Sequence, residues 1–555
     1  MDTRIKQVEI LPLIKYYMDE LGLAQLFAKY VPNTSMEIAP AQVLSMMAMN
    51  IMVSATPLYR MEDWLHDYFD GVTEGRFEAA KYNDDRLGRN LDLLFDADRS
   101  SLMTELSANA IRAHQLETQE IHNDSTSVTF IGDYDGVDPK AVNITYGYNK
   151  DHRPDCKQIV FGLNITGDGH VPLSYQLYDG NQADVTTHVG NWEQLREMLG
   201  KEDFIYVADS KLCSYENMRT IDENGGLFIT VVPRNFREVK GFRERVREGE
   251  EIEWQHQHQV PDSRKKGRTQ NYRIHAGERM DEGYRILWIH SKAKEGLERK
   301  ARENRICKSE QALEVLSSAL NQRFLKTREQ IELAIKKATK GASAFLLVAI
   351  HEERTTEKVQ VGKGRPGPNT RYQEKEVIHY RLEWTRDEEE IRKMQRSDGL
   401  FPLVDNTSLK PVEVLRTYKD QPYLEKRFNT HKSVLEVAPV FLETPRRIEA
   451  MMFLYFVALM LVSLIERRIR LEMQEQEIES LPMRPAGMHT KKPTWRTIVD
   501  TFHGVHLATI EQSGEVIHTA LKGMSALRRQ ILALLKVPIE TYTRLCDRWW
   551  EYAVE

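Results

Sequence analysis

Apolar positions in the first 115 residues recur at helical spacing. Leu11, Ile14, Met18, Leu21 and Leu26 fall three to five residues apart, the spacing of one helix face. Pro40 opens a second helical stretch over 40–49, because proline is tolerated in a first turn. From about 118 to 235 the period changes. Residues 120–128 alternate as a strand does, and 158–165 and 170–177 flank Thr166-Gly167-Asp168-Gly169, a turn that predicts a hairpin. A helix over 185–199, a strand over 204–209, a helix over 214–224 and a strand over 227–231 complete this part.

Beyond it, strands are expected at 252–254, 272–274, 284–289, 344–350 and 377–384. Leu313, Leu316, Leu320, Phe324, Ile331 and Ile335 fall on one helix face. After about 405 the pattern is helical. The apolar run 450–465 holds 16 residues, whereas a membrane span needs about 20. Arg446, Arg447 and Glu449 precede it and Glu466, Arg467 and Arg468 follow, so it reads as a buried helix. Pro482, Pro485 and Lys491-Lys492-Pro493 mark a linker, and Leu521, Met524, Leu527, Ile531 and Leu534 suggest a last helical face. The expected organisation is a helical domain over 1–115, an α/β core over 116–235, a β-rich insertion over 236–400, the rest of the core over 401–480, and a helical region over 481–555.

A chain of 555 residues is too long for one simple core. Its 41% hydrophobic and 29% charged residues fit a soluble globular protein. The net charge of −6 excludes a uniformly basic DNA-coating protein, but local patches govern phosphate contacts. Arg264-Lys265-Lys266-Gly267-Arg268 and the basic run from Lys292 to Lys308 are such patches, and each is equally well a solvated surface. The four cysteines, Cys156, Cys213, Cys307 and Cys546, lack Cys-x2-Cys spacing. This disfavours structural zinc and disulfides and suits a reducing cytoplasm. No signal-peptide pattern opens the chain.

Three acids stand out. Asp124 lies in the alternating 120–128 segment, Asp209 closes the buried strand 204–209, and Glu425 sits in Tyr418-x2-Gln421-x3-Glu425-x6-Lys432. The order of three strands, helix, strand, helix, strand is ribonuclease-H-like: a mixed sheet flanked by helices, with Asp124 and Asp209 on neighbouring strands. Sites in open α/β sheets gather at strand ends. Asp209 and Glu425 are 216 positions apart, which requires an inserted subdomain. The last spacing resembles the Tyr-x2-Arg-x3-Glu-x6-Lys signature of bacterial insertion-sequence transposases with an Asp-Asp-Glu site. Gln421 departs from it, standing where that family usually has Arg.

The resemblance implies a DNA transposase that cuts at element ends and joins the freed 3′ hydroxyls to target DNA. It implies Asp124, Asp209 and Glu425 as a catalytic, metal-holding set for two Mg²⁺ ions, with Mn²⁺ able to substitute. Hard cations are held by carboxylates, and a metal pair can activate the attacking oxygen and stabilise the leaving one. The implied partner is double-stranded DNA, as terminal inverted repeats and target, bound by a homodimer with no membrane involved. Tyr418 and Lys432 are expected to contact DNA near the cleaved end. Gln421 puts one phosphate contact in doubt, for which Arg427 or Lys426 is a candidate substitute. Lys363 and Arg365, in Lys363-Gly364-Arg365-Pro366, are close to the Arg-Gly-Arg-Pro core of minor-groove hooks, with Lys for the first Arg, and read equally well as a basic surface hairpin. Tyr82 to Asp92 looks like a segment of the family's end-recognising helical domain, and Gly180 to Asp184 like a family segment best read as a turn and helix cap. The rival readings are a nuclease of the same fold without strand transfer and a non-catalytic DNA-binding relative.

Overall fold

The computed structural model describes all residues except 1, 34–36, 55, 69–78, 135–137, 149–152, 183–186, 262–268, 323, 363, 431, 433–434, 436–441, 443, 513–514 and 554–555. The basic patch at 264–268, Asp184 and Lys363 therefore lie outside the described residues. The chain forms two compact units, one of residues 1–230 and 416–555, the other of residues 231–415.

The first unit opens with β1 (Asp2–Gln7), followed by α1 (Leu11–Glu20), α2 (Leu23–Tyr30), α3 (Pro40–Val53), α4 (Met61–Asp67), α5 (Asp84–Asp96) and α6 (Arg99–His114). Pro40 does begin α3. Asn83 caps α5, its side chain accepting from Arg86 N at 3.0 Å, which satisfies an otherwise orphaned amide. Next come β2 (Glu120–Phe130), β3 (Lys157–Thr166), β4 (Pro172–Tyr178), α7 (His188–Leu199), β5 (Ile205–Val207), α8 (Tyr215–Glu223) and β6 (Leu227–Val231). These strands lie in the order β4-β3-β2-β5-β6. β2 pairs antiparallel with β3 and parallel with β5, so the sheet is mixed. The hairpin expected around Gly167-Asp168-Gly169 is β3–β4. Gly180 has no room for a side chain: a Cβ there would stand 2.1 Å from Gln158 O and 2.4 Å from Thr145 O. α7 opens at His188, preceded by Thr187.

The second unit holds α9 (Arg237–Glu248), β7 (His256–Pro261), β8 (Thr269–Arg279), β9 (Arg285–Ser291), α10 (Lys292–Ser318), α11 (Arg328–Ala338), β10 (Leu346–Gln360), β11 (Tyr372–Arg386), α12 (Glu388–Gln395) and β12 (Leu400–Asp405). Its strands run β12-β9-β8-β7 beside a separate β10–β11 ribbon. The apolar face from Leu313 to Ile335 belongs to two helices rather than one. Asn321 takes φ +63°, which ends helical propagation, and a capping box at Thr327 and Gln330 starts α11. Residues 252–254 are not strand; that strand begins at His256.

α13 (Pro411–Lys419) crosses the boundary at 415/416. The first unit then resumes with α14 (Gln421–Asn429), α15 (Pro445–Glu475), α16 (Trp495–Phe502), β13 (His506–Gln512), β14 (Glu515–Lys522), α17 (Ala526–Leu534) and α18 (Glu540–Ala553). α15 is long and apolar enough to cross a membrane, yet its whole apolar window is buried. It packs on α1, α3, α5, β4, α16 and α17, with Phe453 and Phe456 against Tyr175 of β4. The last region is not purely helical. Leu521 lies in β14, which pairs with β13, and β13 pairs in turn with β1. Leu507 and Thr509 are buried between half-exposed neighbours, the period-2 burial of a strand.

Candidate active site

All three acids singled out in the sequence lie in the first unit. The parallel register pairs Glu120 with Ile205, Ile121 with Tyr206 and His122 with Val207. Asp124 follows the last pair by two residues within β2, and Asp209 follows it by two residues just beyond the end of β5. Both carboxylate charges act on the phenol of Tyr418. Both are half-buried. Asp124 Oδ1 accepts from Ser125 N at 2.7 Å and Asp209 Oδ1 from Lys211 N at 2.8 Å. Thr230 Oγ1 donates to Asp209 O at 2.6 Å, tying the end of β5 to β6.

Glu425 is exposed on α14, and three sets of contacts fasten that helix. Gln421 Nε2 donates to Asn123 O at 2.8 Å, and Gln421 Oε1 lies 3.2 Å from His122 Nδ1. A carbonyl only accepts, so the amide NH2 must face Asn123 and the amide oxygen must face His122. His122 Nδ1 is therefore the donor. Burial pulls the His122 imidazole down to about 4, against the opposing hydrogen bond from Gln421, so the ring is neutral. Tyr423 stacks on His170 in the β3–β4 turn at 4.0 Å between centroids. Arg427 donates to His170 O at 2.9 Å and Gly169 O at 3.0 Å and pairs with Glu466 of α15 at 2.8 Å.

Arg427 thus lies inside the protein and not on a surface facing phosphate. It is buried because its guanidinium ties together α14, the β3–β4 turn and α15. Burial lowers its affinity for the proton and Glu466 opposes that shift. Gln421 is likewise engaged with β2. Tyr418 is half-buried, and its phenol is pushed up to about 12 by burial and by the charges of Asp209 and Asp124. It is a proton-bearing donor beside both aspartates. Lys432 is half-buried and Arg365 is exposed beyond the end of β10.

The oxygen-only chemistry of three carboxylates suits a hard divalent cation. Among the described residues no group of three His, Cys, Asp or Glu side chains is arranged to hold an ion, so Asp124, Asp209 and Glu425 do not meet as one ligand group.

Sequence reasoning did not single out His122, Asp420 or Glu466. Asp420 precedes α14 and its carboxyl is pushed up to about 6 by burial and by Glu120, against Arg416. Thr417 Oγ1 donates to Glu120 Oε1 at 2.9 Å. The one available signal was Gln421 itself, a neutral amide at a position where a cation was expected.

Residues 3–108 match a family described as a domain of unknown function, DUF4277. That span covers most of β1 to α6. No curated protein matches the chain. Among solved structures, a piggyBac transposase synaptic complex with hairpin DNA is similar over 61% of this chain and 69% of that one, at 10% identity and a TM-score of 0.29.

Proposed function

We propose that this protein is a DNA transposase of the Asp-Asp-Glu type, with a ribonuclease-H-like core that holds Asp124, Asp209 and Glu425. The observation that carries the reading is that Asp124 and Asp209 both act on the Tyr418 phenol, with the Glu425 helix tied to the Asp124 strand through Gln421. The strand order β4-β3-β2-β5-β6 supports the core assignment. The match of residues 3–108 to a family found in transposases supports the class.

In this reading Asp124, Asp209 and Glu425 hold Mg²⁺, or Mn²⁺ in its place. Bound metal would supply an activated water and a stabilised leaving oxygen. Tyr418, protonated throughout the working pH range, donates a hydrogen bond to a DNA phosphate near the aspartates. Lys432 adds a charge-assisted contact. Gln421 and Arg427 take no part in binding DNA: they hold α14 in place, which a preorganised site requires. The DNA is the element end and then the target.

The test is product analysis with DNA carrying the flanking repeats of the element. Cleavage to 3′ hydroxyls followed by their joining to a second duplex is expected in Mg²⁺ and not in EDTA. Cleavage without joined product would replace transposition by nuclease action. No cleavage of any DNA would end the reading.

A further inference from the structure

The second unit carries a cleft of about 490 Å³ between α9 and the α12 region, lined by Arg247, Glu248, Glu389, Arg392, Lys393 and Arg396. Elsewhere in this unit arginines meet carboxylates: Arg234 with Glu298 and Arg237 with Asp281 at 2.6 Å, Arg285 with Asp405 at 2.7 Å, and Arg302 with Asp398 at 2.6 Å. The four cleft cations, like some other arginines of the unit, make no ion pair among the described residues. Their hydrogen bonds go to neutral groups. Arg247 Nε donates to Ser397 Oγ, Arg396 Nη1 to Arg247 O, and Arg392 Nε to Glu388 O, each at 3.0 Å. Four positive charges against two negative ones leave the cleft cationic.

A second observation points the same way. Arg243, on α9, has a buried Nε with no hydrogen-bond partner among the described residues. Its charge is disfavoured by burial and by neighbouring Arg234 and Arg247, against the pull of Glu298 and Asp398. Arg243 adds a further positive charge on α9, the helix that carries Arg247.

We propose that the α9–α12 cleft binds the phosphate backbone of double-stranded DNA. The walls argue for a polyanion over a small organic ligand. Small-molecule pockets are mostly apolar with a few polar groups, whereas every lining residue here is charged. Arg392 and Arg396 are four positions apart, about 6 Å along a helix, and present planar guanidinium forks suited to phosphate. The inference rests on the DNA-processing reading, but it places the contact in a unit that holds none of the three acids.

The test uses the full chain, a labelled duplex of arbitrary sequence, and EDTA, so that catalysis plays no part. Binding is followed from low to moderate salt. Neutralising Arg392 and Arg396 together (R392Q/R396Q) is expected to reduce the slope of log K against log salt by about 1.8, near 0.9 per lost phosphate contact. The control is Arg328→Gln, at an exposed arginine already paired with Glu332 and Glu352, and it should leave the slope unchanged. Thermal unfolding establishes that both variants fold. Wild-type binding with an unchanged slope in the double variant overturns the cleft and leaves the transposase reading standing. An equal fall in the control overturns the cleft as well. A wild-type chain that binds no duplex overturns both.

Discussion

Gln421 donates from its side-chain nitrogen to the main-chain oxygen of Asn123 at 2.8 Å, one residue before Asp124. One amide thus couples the helix of Glu425 to the strand of Asp124. Its oxygen accepts from neutral His122, a role that a donor-only cation cannot take.

Gln421→Ala should therefore destabilise the first unit. It leaves Asn123 O and His122 Nδ1 without this partner, at about 1–3 kcal/mol. Urea unfolding should show a lower midpoint at an unchanged m value. A midpoint equal to wild type would show that the amide does not hold the helix.

Arg427→Met should cost more, about 3–5 kcal/mol, because it leaves Glu466 buried with one partner fewer. Arg470 at 3.1 Å and Trp495 N at 2.8 Å remain to it, and the double variant with Glu466→Gln should recover part of the loss. The salt dependence of DNA binding should not change. A folded Arg427→Met chain with a weaker salt slope would return Arg427 to the DNA-contacting set.

Asp420 gives a pH signature. Its folded carboxyl sits at about 6, above the unfolded value of about 3.9. The fold thus favours the protonated form, and that contribution is present below the unfolded value and lost as pH rises through 6. Asp420→Asn should raise stability by about 1–3 kcal/mol at pH 8 and hardly at pH 4. Equal melting-temperature changes at both pH values would contradict the assignment.

Histidines act in the opposite direction. Burial lowers His170 to about 3, helped by Arg427, and lowers His114 to about 4, helped by Arg468 and Arg467. Both lie below the unfolded value of about 6.5, so their contribution is complete above pH 6.5 and is lost as pH falls toward the folded values. His170→Phe keeps a ring against Tyr423 and removes one titrating site. Its stability should fall less steeply between pH 6 and 4; a slope equal to wild type would remove His170 from the acid response.

The core was legible where burial imposes a period. β2, the β3–β4 hairpin and the Asp209 strand announced themselves by alternation or by a short apolar run, and α15 by its length. β1 and β13 did not, because their pairing joins residues about 500 positions apart and neither segment is strongly apolar. The helical reading of Leu521 to Leu534 held over α17, which carries Leu527, Ile531 and Leu534, and failed at Leu521, which pairing with β13 turned into strand. At the site, residue types and order gave the acids, but not the contacts of Gln421 and Arg427. Both carry polar heads that a sequence pattern places in solvent, and only tertiary partners such as Asn123 and Glu466 draw them inside.

The most direct test of the central claim is metal-dependent nicking of end-bearing DNA by Asp124→Ala, Asp209→Ala and Glu425→Ala, each measured beside its DNA affinity in EDTA. The account predicts that all three lose nicking in Mg²⁺ while binding duplex as wild type does. Retained nicking in any one of them would contradict a site built from these three carboxylates.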